Sequence, residues 1–213
     1  MTEHPEQQEP EAPQRASWTW LLGLVVVVGV IAVPLLLMTG GAGDAARGLK
    51  VGSMIPPFAA PLAASDIDGD VNLARRADSG EAGAVAACSV RGPGIVNSCD
   101  LVRRKPAAIL FITSRDRCER QLDVLDSVLT AGGPVNALAV AVRGDRDEWR
   151  KQARRWNTPL AFDRDGALAA SFGIELCPQI TVVRRGGRVA GTIIGSVDAR
   201  QLRAQLRRML GGL

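Results

Sequence analysis

Two stretches of this chain carry almost no polar side chain: Ala107 to Thr113 (AAILFIT) and Val135 to Val142 (VNALAVAV). A strand with one face in water alternates apolar and polar residues, whereas an unbroken apolar run fits a strand covered on both faces, as in a parallel sheet. Parallel neighbours need a crossover between them. The intervening sequence supplies one, because Leu122, Leu125, Val128 and Leu129 fall on one helical face, with Asp116 and Glu119 forming a capping-box pattern ahead of them. Gly132-Gly133-Pro134 closes that helix, and Asp145 with Glu148 repeats the cap signature before a helix reaching about Trp156. Strand, helix, strand, helix predicts an α/β fold with a parallel sheet at its centre.

The last third changes character. Leu160 to Phe162 reads as a short strand, Asp165-Gly166 as a turn and Ala167 to Phe172 as a short helix. Gln179 to Arg184 and Arg188 to Ile194 read as two strands joined across Gly186-Gly187, which is hairpin chemistry. Asp198 opens a final amphipathic helix with Leu202, Leu206, Met209 and Leu210 in step and Gly211 after it. Its Arg200, Arg203, Arg207 and Arg208 are read as a solvated face, and Arg143-Gly144-Asp145 as a helix entry.

The N-terminal part is built differently. Residues 1–17 hold Glu3, Glu6, Glu9, Glu11 and three prolines without apolar periodicity, which predicts a disordered tail. No charge occurs from Trp18 to Met38, and this run is long enough for a helix across a hydrocarbon core of roughly 30 Å. Residues 18–38 are therefore expected to be a transmembrane helix, with Trp18 and Trp20 at the headgroup layer. A cleaved signal peptide is the competing reading. The acidic stretch before the span, with Arg15 its only cation, and the length of the run favour an anchor. Residues 39–50 form a flexible linker, and residues 51–213 the folded domain. Counting Arg15 on one side against Arg47 and Lys50 on the other slightly favours the tail outside. All four cysteines lie beyond the span, however, and paired cysteines belong in an oxidising compartment. The expectation is a single-pass cell-membrane protein with its domain extracytoplasmic.

Composition removes several function classes. His4 is the sole histidine and sits in the tail, which excludes Ser-His-Asp hydrolysis, Cys-His proteolysis and His-ligated zinc or haem from the folded part. The cysteines lack the close pairs that zinc sites use, so neither a metal nor a cofactor is expected. Asp66-Ile67-Asp68-Gly69-Asp70 resembles a calcium loop, but Ala77 stands where the closing Glu belongs, and a hairpin turn is the preferred reading. The chain carries 26 Lys+Arg against 22 Asp+Glu, and basic residues do not alternate with aromatics as nucleic-acid platforms require. No nucleic-acid partner is expected.

The element order, with a proline entering the hairpin, resembles the thioredoxin fold over about Val51 to Leu210. More narrowly, it is similar to membrane-anchored, extracytoplasmic TlpA-like redoxins. The matching stretches are Val51-Gly52-Ser53-Met54-Ile55-Pro56-Pro57-Phe58, the Asp68-Gly69-Asp70-Val71-Asn72-Leu73 hairpin, Lys105-Pro106, Phe172-Gly173-Ile174 leading to Cys177-Pro178, and the Gly186-Gly187 turn. In that fold the reactive site lies where the first central strand enters its helix, commonly as Trp-Cys-x-x-Cys. Here the junction reads Phe111-Ile112-Thr113-Ser114-Arg115-Asp116-Arg117-Cys118-Glu119-Arg120, with one cysteine. A peroxiredoxin template, Pro-x-x-x-Thr-x-x-Cys, also departs from it, since Arg115 stands three before Cys118 and the proline is missing.

Cys118 has a case from position alone. In the first turn of a helix capped by Asp116, unpaired N–H groups favour a thiolate, and Arg115, Arg117 and Arg120 add positive charge, with Asp116 and Glu119 opposing. A buried cysteine acting as a small hydrophobe is the alternative. The resemblance implies a cis peptide bond before Pro178 and places Cys177 beside Cys118, so that a disulfide between them replaces the absent Cys-x-x-Cys. Such a bond is either redox-active or purely structural. Cys88 and Cys99 flank Gly92-Pro93-Gly94 and read as a local structural disulfide, or else as an auxiliary redox pair. The functional expectation is a thiol-disulfide oxidoreductase acting on protein thiols or disulfides. Cys118 is its nucleophile, Cys177 its resolving partner, Pro178 shapes the substrate groove, and Arg115 and Arg117 give electrostatic support. The alternatives are a non-catalytic binding module with static disulfides and a peroxidase working through Cys118.

Overall fold

The computed structural model describes residues 48–67, 71, 85–113, 115–129 and 132–211. The expected tail, the 18–38 span, most of the linker and residues 68–70, 72 and 73 of the expected hairpin lie outside them. Among the described residues no helix is long and apolar enough to cross a membrane.

The two apolar runs form the middle of a five-stranded sheet. β3 (Ala107–Ile112) and β4 (Asn136–Val142) are parallel, β5 (Leu160–Asp163) continues the parallel part, and β6 (Gln179–Val183) and β7 (Val189–Ile194) add an antiparallel edge. The spatial order is β5-β4-β3-β6-β7. Every residue of β3 is buried, as its composition requires. Alternate side chains enter two cores: Ala108, Leu110 and Ile112 pack with Leu122, Leu125, Leu202 and Leu206, while Ile109 and Phe111 pack with Leu138, Phe58 and Phe172. Full burial of each leucine, isoleucine or phenylalanine among them stabilises the fold by roughly 1.5–3 kcal/mol.

The helices follow their caps. α3 (Arg146–Ala153) begins after Asp145, whose carboxylate accepts from the Glu148 N–H at 3.0 Å. α5 (Ala199–Leu210) carries a complete capping box between Asp198 and Gln201 and ends on Gly211 at φ 80°. α4 (Ala167–Ser171) is capped from a distance by the fully buried Asp163, whose carboxylate accepts from Leu168 N–H at 3.2 Å and Ala169 N–H at 2.8 Å.

Two expectations are corrected, and one segment holds elements for which the sequence gives no signal. α2 (Arg115–Val128) starts one residue before the expected cap, so Asp116 lies inside the helix. Acidic residues suit the positive end of the dipole both at the cap and within the first turn, and the sequence pattern does not separate the two. α3 stops at Ala153 rather than near Trp156; Trp156 belongs to the following turn, where its indole N–H donates to Asp123 at 2.7 Å. The segment around Cys99 contains a strand, β2 (Ile95–Asn97), paired antiparallel with β1 (Ala59–Pro61), and a one-turn helix, α1 (Ser98–Leu101). Strands of three residues are too short to show a two-residue period.

Candidate functional site

Strand register decides what meets at the C-terminal end of β3. Phe111 of β3 pairs with Gln179, the first residue of β6, so the residues just before β6 lie beside those just after β3. These are Cys177 and Pro178 on one side, and Thr113 leading into α2 on the other. The Cys177–Pro178 peptide bond is cis. The Pro178 carbonyl accepts from the Gly195 N–H at 2.9 Å, which ties the loop to the end of β7.

Cys118 is the fourth residue of α2 and shares a face with Leu122, Leu125 and Leu129, all buried. Its sulfur is bonded to that of Cys177, with the two Cα atoms 6.1 Å apart, inside the range disulfides span. Two thiols that the chain separates by 59 positions are thus joined by adjoining strands. Cys118 retains 1% of its surface, whereas Cys177 is half-buried. The Thr113 N–H donates to Cys177 Sγ at 3.2 Å, and the Phe111 carbonyl oxygen lies 3.9 Å from that sulfur. Glu175 and Leu176, the residues leading into the loop, are exposed, while Pro178 is buried. Arg115 and Arg117 stand at the first and third positions of α2, and their side chains lie outside what the structure describes.

Some supports of the site were not singled out from the sequence. Gln121, buried one turn after Cys118, accepts from the Val197 N–H at 2.9 Å and so fastens α2 to the entry of α5. Thr113 and Gly195 act through backbone N–H groups, which every residue but proline possesses and which leave no mark in a sequence.

Cys88, in a 3-10 turn (Ala87–Ser89), is bonded to Cys99 of α1, with Cα atoms 5.6 Å apart. Asn97 knits the loop: its amide donates to the carbonyls of Ala87 and Val90 at 2.7 and 2.8 Å, and its oxygen accepts from the Cys99 N–H at 2.9 Å. The Arg91 guanidinium hydrogen-bonds Asp100 at 2.7 Å and holds its carboxyl below the usual range. The Leu101 carbonyl at the end of α1 accepts from Asn136, the first residue of β4, so this disulfide belongs to the entry end of the central strands. The Cys118–Cys177 bond belongs to their exit end. Six residues of β3 intervene, about 20 Å of strand. Exchange requires sulfur to touch sulfur, and this arrangement provides no relay from one pair to the other.

No family model matches the chain, and no curated protein matches it by sequence. Solved structures do resemble it. A protein of Chlorobium tepidum assigned as the thiol:disulfide interchange protein DsbE has a TM-score of 0.56 at 18% identity, covering 76% of this chain and 99% of that one. A DsbF homologue from Corynebacterium diphtheriae has a TM-score of 0.55 at 14% identity, covering 79% and 96%. An uncharacterized conserved protein from Geobacillus kaustophilus has a TM-score of 0.55 at 14% identity, covering 78% and 85%. At such identities the likeness is one of architecture, and together with the β5-β4-β3-β6-β7 sheet and its cis-proline loop it makes this a thioredoxin-like fold.

Proposed function

We propose that the protein is a thiol-disulfide oxidoreductase that works through Cys118 and Cys177 on protein thiols or disulfides, its domain held outside the cytoplasm by residues 18–38 as a single-pass anchor. The observation that carries this reading is the disulfide itself. It joins the first turn of α2 to the cis-proline loop, and one of its two cysteines, Cys177, is only half-buried, as exchange with another molecule requires. On this reading Pro178 shapes the substrate groove, and the charges of Arg115 and Arg117, at the first and third positions of α2, give the pair electrostatic support. The interchange name carried by the Chlorobium tepidum structure points the same way by analogy of fold. The near-complete burial of Cys118 favours disulfide exchange over peroxide reduction at that residue, which needs a thiol accessible to the oxidant. The uncharged run from Trp18 to Met38 and the pairing of all four cysteines support an anchored domain in an oxidising compartment.

Equilibration with glutathione or dithiothreitol redox buffers tests the proposal. The Cys118–Cys177 bond is expected to reduce at a potential above about −300 mV, and Cys118→Ser is expected to abolish turnover of a disulfide peptide. A bond that stays closed below that potential makes the chain a static binding module instead.

A further inference from the structure

The two sulfurs of the redox pair are not equivalent. Cys118 lies within the apolar face of α2 at 1% exposure, while Cys177 is half-buried on a loop whose preceding residue, Leu176, is 55% exposed. Thiol-disulfide exchange proceeds by attack of a thiolate on one sulfur with expulsion of the other, and access selects which sulfur is attacked. Resting on the oxidoreductase reading, we infer that Cys177 is the sulfur that exchanges with the substrate and that Cys118 is the buried partner that leaves and returns. This inverts the roles expected from the sequence, where position in the first turn of a helix pointed to Cys118 as nucleophile.

A second observation supports the inversion. The Thr113 N–H is aimed at Cys177 Sγ from 3.2 Å, and an amide donor at that distance stabilises negative charge on the sulfur. The Phe111 carbonyl, which favours the protonated thiol, is farther away at 3.9 Å. Leu176, the exposed apolar residue that precedes Cys177, offers a contact for an apolar side chain flanking a substrate cysteine.

The substrate class is a protein dithiol or the corresponding disulfide. In the oxidising direction, one substrate thiolate bonds to Cys177 Sγ as the Cys118–Cys177 bond breaks, and the electron pair leaves on Cys118, which takes a proton from solvent. The second substrate thiolate then attacks its partner sulfur in the mixed disulfide, expelling Cys177 as thiolate, which takes up the second proton from solvent. The substrate loses two electrons and two protons, and the protein disulfide becomes a dithiol. In the reducing direction the same bonds form and break in reverse, beginning with attack by the Cys177 thiolate.

The test compares reduced full-length C118S and C177S proteins treated with oxidised glutathione and followed by intact mass. C118S, which keeps Cys177, is expected to gain a glutathione adduct at least about tenfold faster than C177S. Equal rates, or faster reaction of C177S, overturn the assignment. A measurement on the unaltered protein guards against misfolded variants. After limited reduction and a brief pulse of iodoacetamide, peptide mapping is expected to find the label on Cys177 first, and a label on Cys118 first overturns the assignment as well. Turnover of a dithiol peptide separates the two claims. Turnover with Cys118 reacting first leaves the oxidoreductase reading standing and removes this one. Absence of turnover with Cys177 reacting first removes the oxidoreductase reading and leaves the order of sulfur reactivity intact.

Discussion

Asp163 shows how a single side chain couples stability to acidity. Burial pushes its carboxyl above the ordinary value, and the N–H groups of Ala169, Leu168 and Gly166 oppose the shift without cancelling it. A carboxyl with a raised folded-state value binds its proton more tightly in the folded than in the unfolded chain. Its contribution to stability is therefore complete below the unfolded value of 3.8 and is lost as pH rises through the folded one. Relative to Asp163→Asn, the unaltered protein should lose thermal stability as pH climbs across that window, measured by the melting midpoint. A difference that grows in favour of the unaltered protein over the same interval contradicts this account. Nothing in the sequence marks Asp163, because its partners are backbone groups of a helix beyond a turn. The pairing of Cys118 with Cys177 was legible, since the resemblance supplied the loop that joins them. Which of the two faces solvent was not, because exposure depends on packing around both residues.

Helices with side-chain signals at both ends were read with the best accuracy. α5 has two arginines in its last turn, and its start and end are as their chemistry suggests: Asp198 and Gln201 form the capping box and Gly211 takes the left-handed conformation. Asp198→Ala removes the acceptor for the Gln201 N–H and is expected to lower stability by about 1 kcal/mol, read as a shift in the urea midpoint at constant slope. A shift within error would place the origin of this helix's stability wholly in Leu202 and Leu206. β3 and β4 were equally legible because burial on both faces leaves a continuous apolar run. β1 and β2 were not, since pairing across dozens of residues fixes them and their own composition does not.

At the scale of the whole molecule, the two disulfides stand at opposite ends of β3. Cys88–Cys99 closes a short loop at the entry end, and in the chain-entropy model it stabilises the fold by about 3 kcal/mol. The double substitution of Cys88 and Cys99 by alanine should lower the unfolding midpoint accordingly while leaving disulfide exchange at the exit end at its normal rate. Loss of exchange in a folded double variant means that electrons pass between the pairs. The pairing at the exit end has a further kinetic meaning. Cys118 lies in the helix that follows β3 and Cys177 just before β6, and these two strands are hydrogen-bonded to each other, so both thiols are expected to stay close together when the bond opens. Ring closure is then unimolecular, with an effective molarity far above any thiol concentration in solution. If the pair exchanges with a substrate as proposed, an adduct on Cys177 is expected to be short-lived, its lifetime set by this tether rather than by how tightly the surfaces bind.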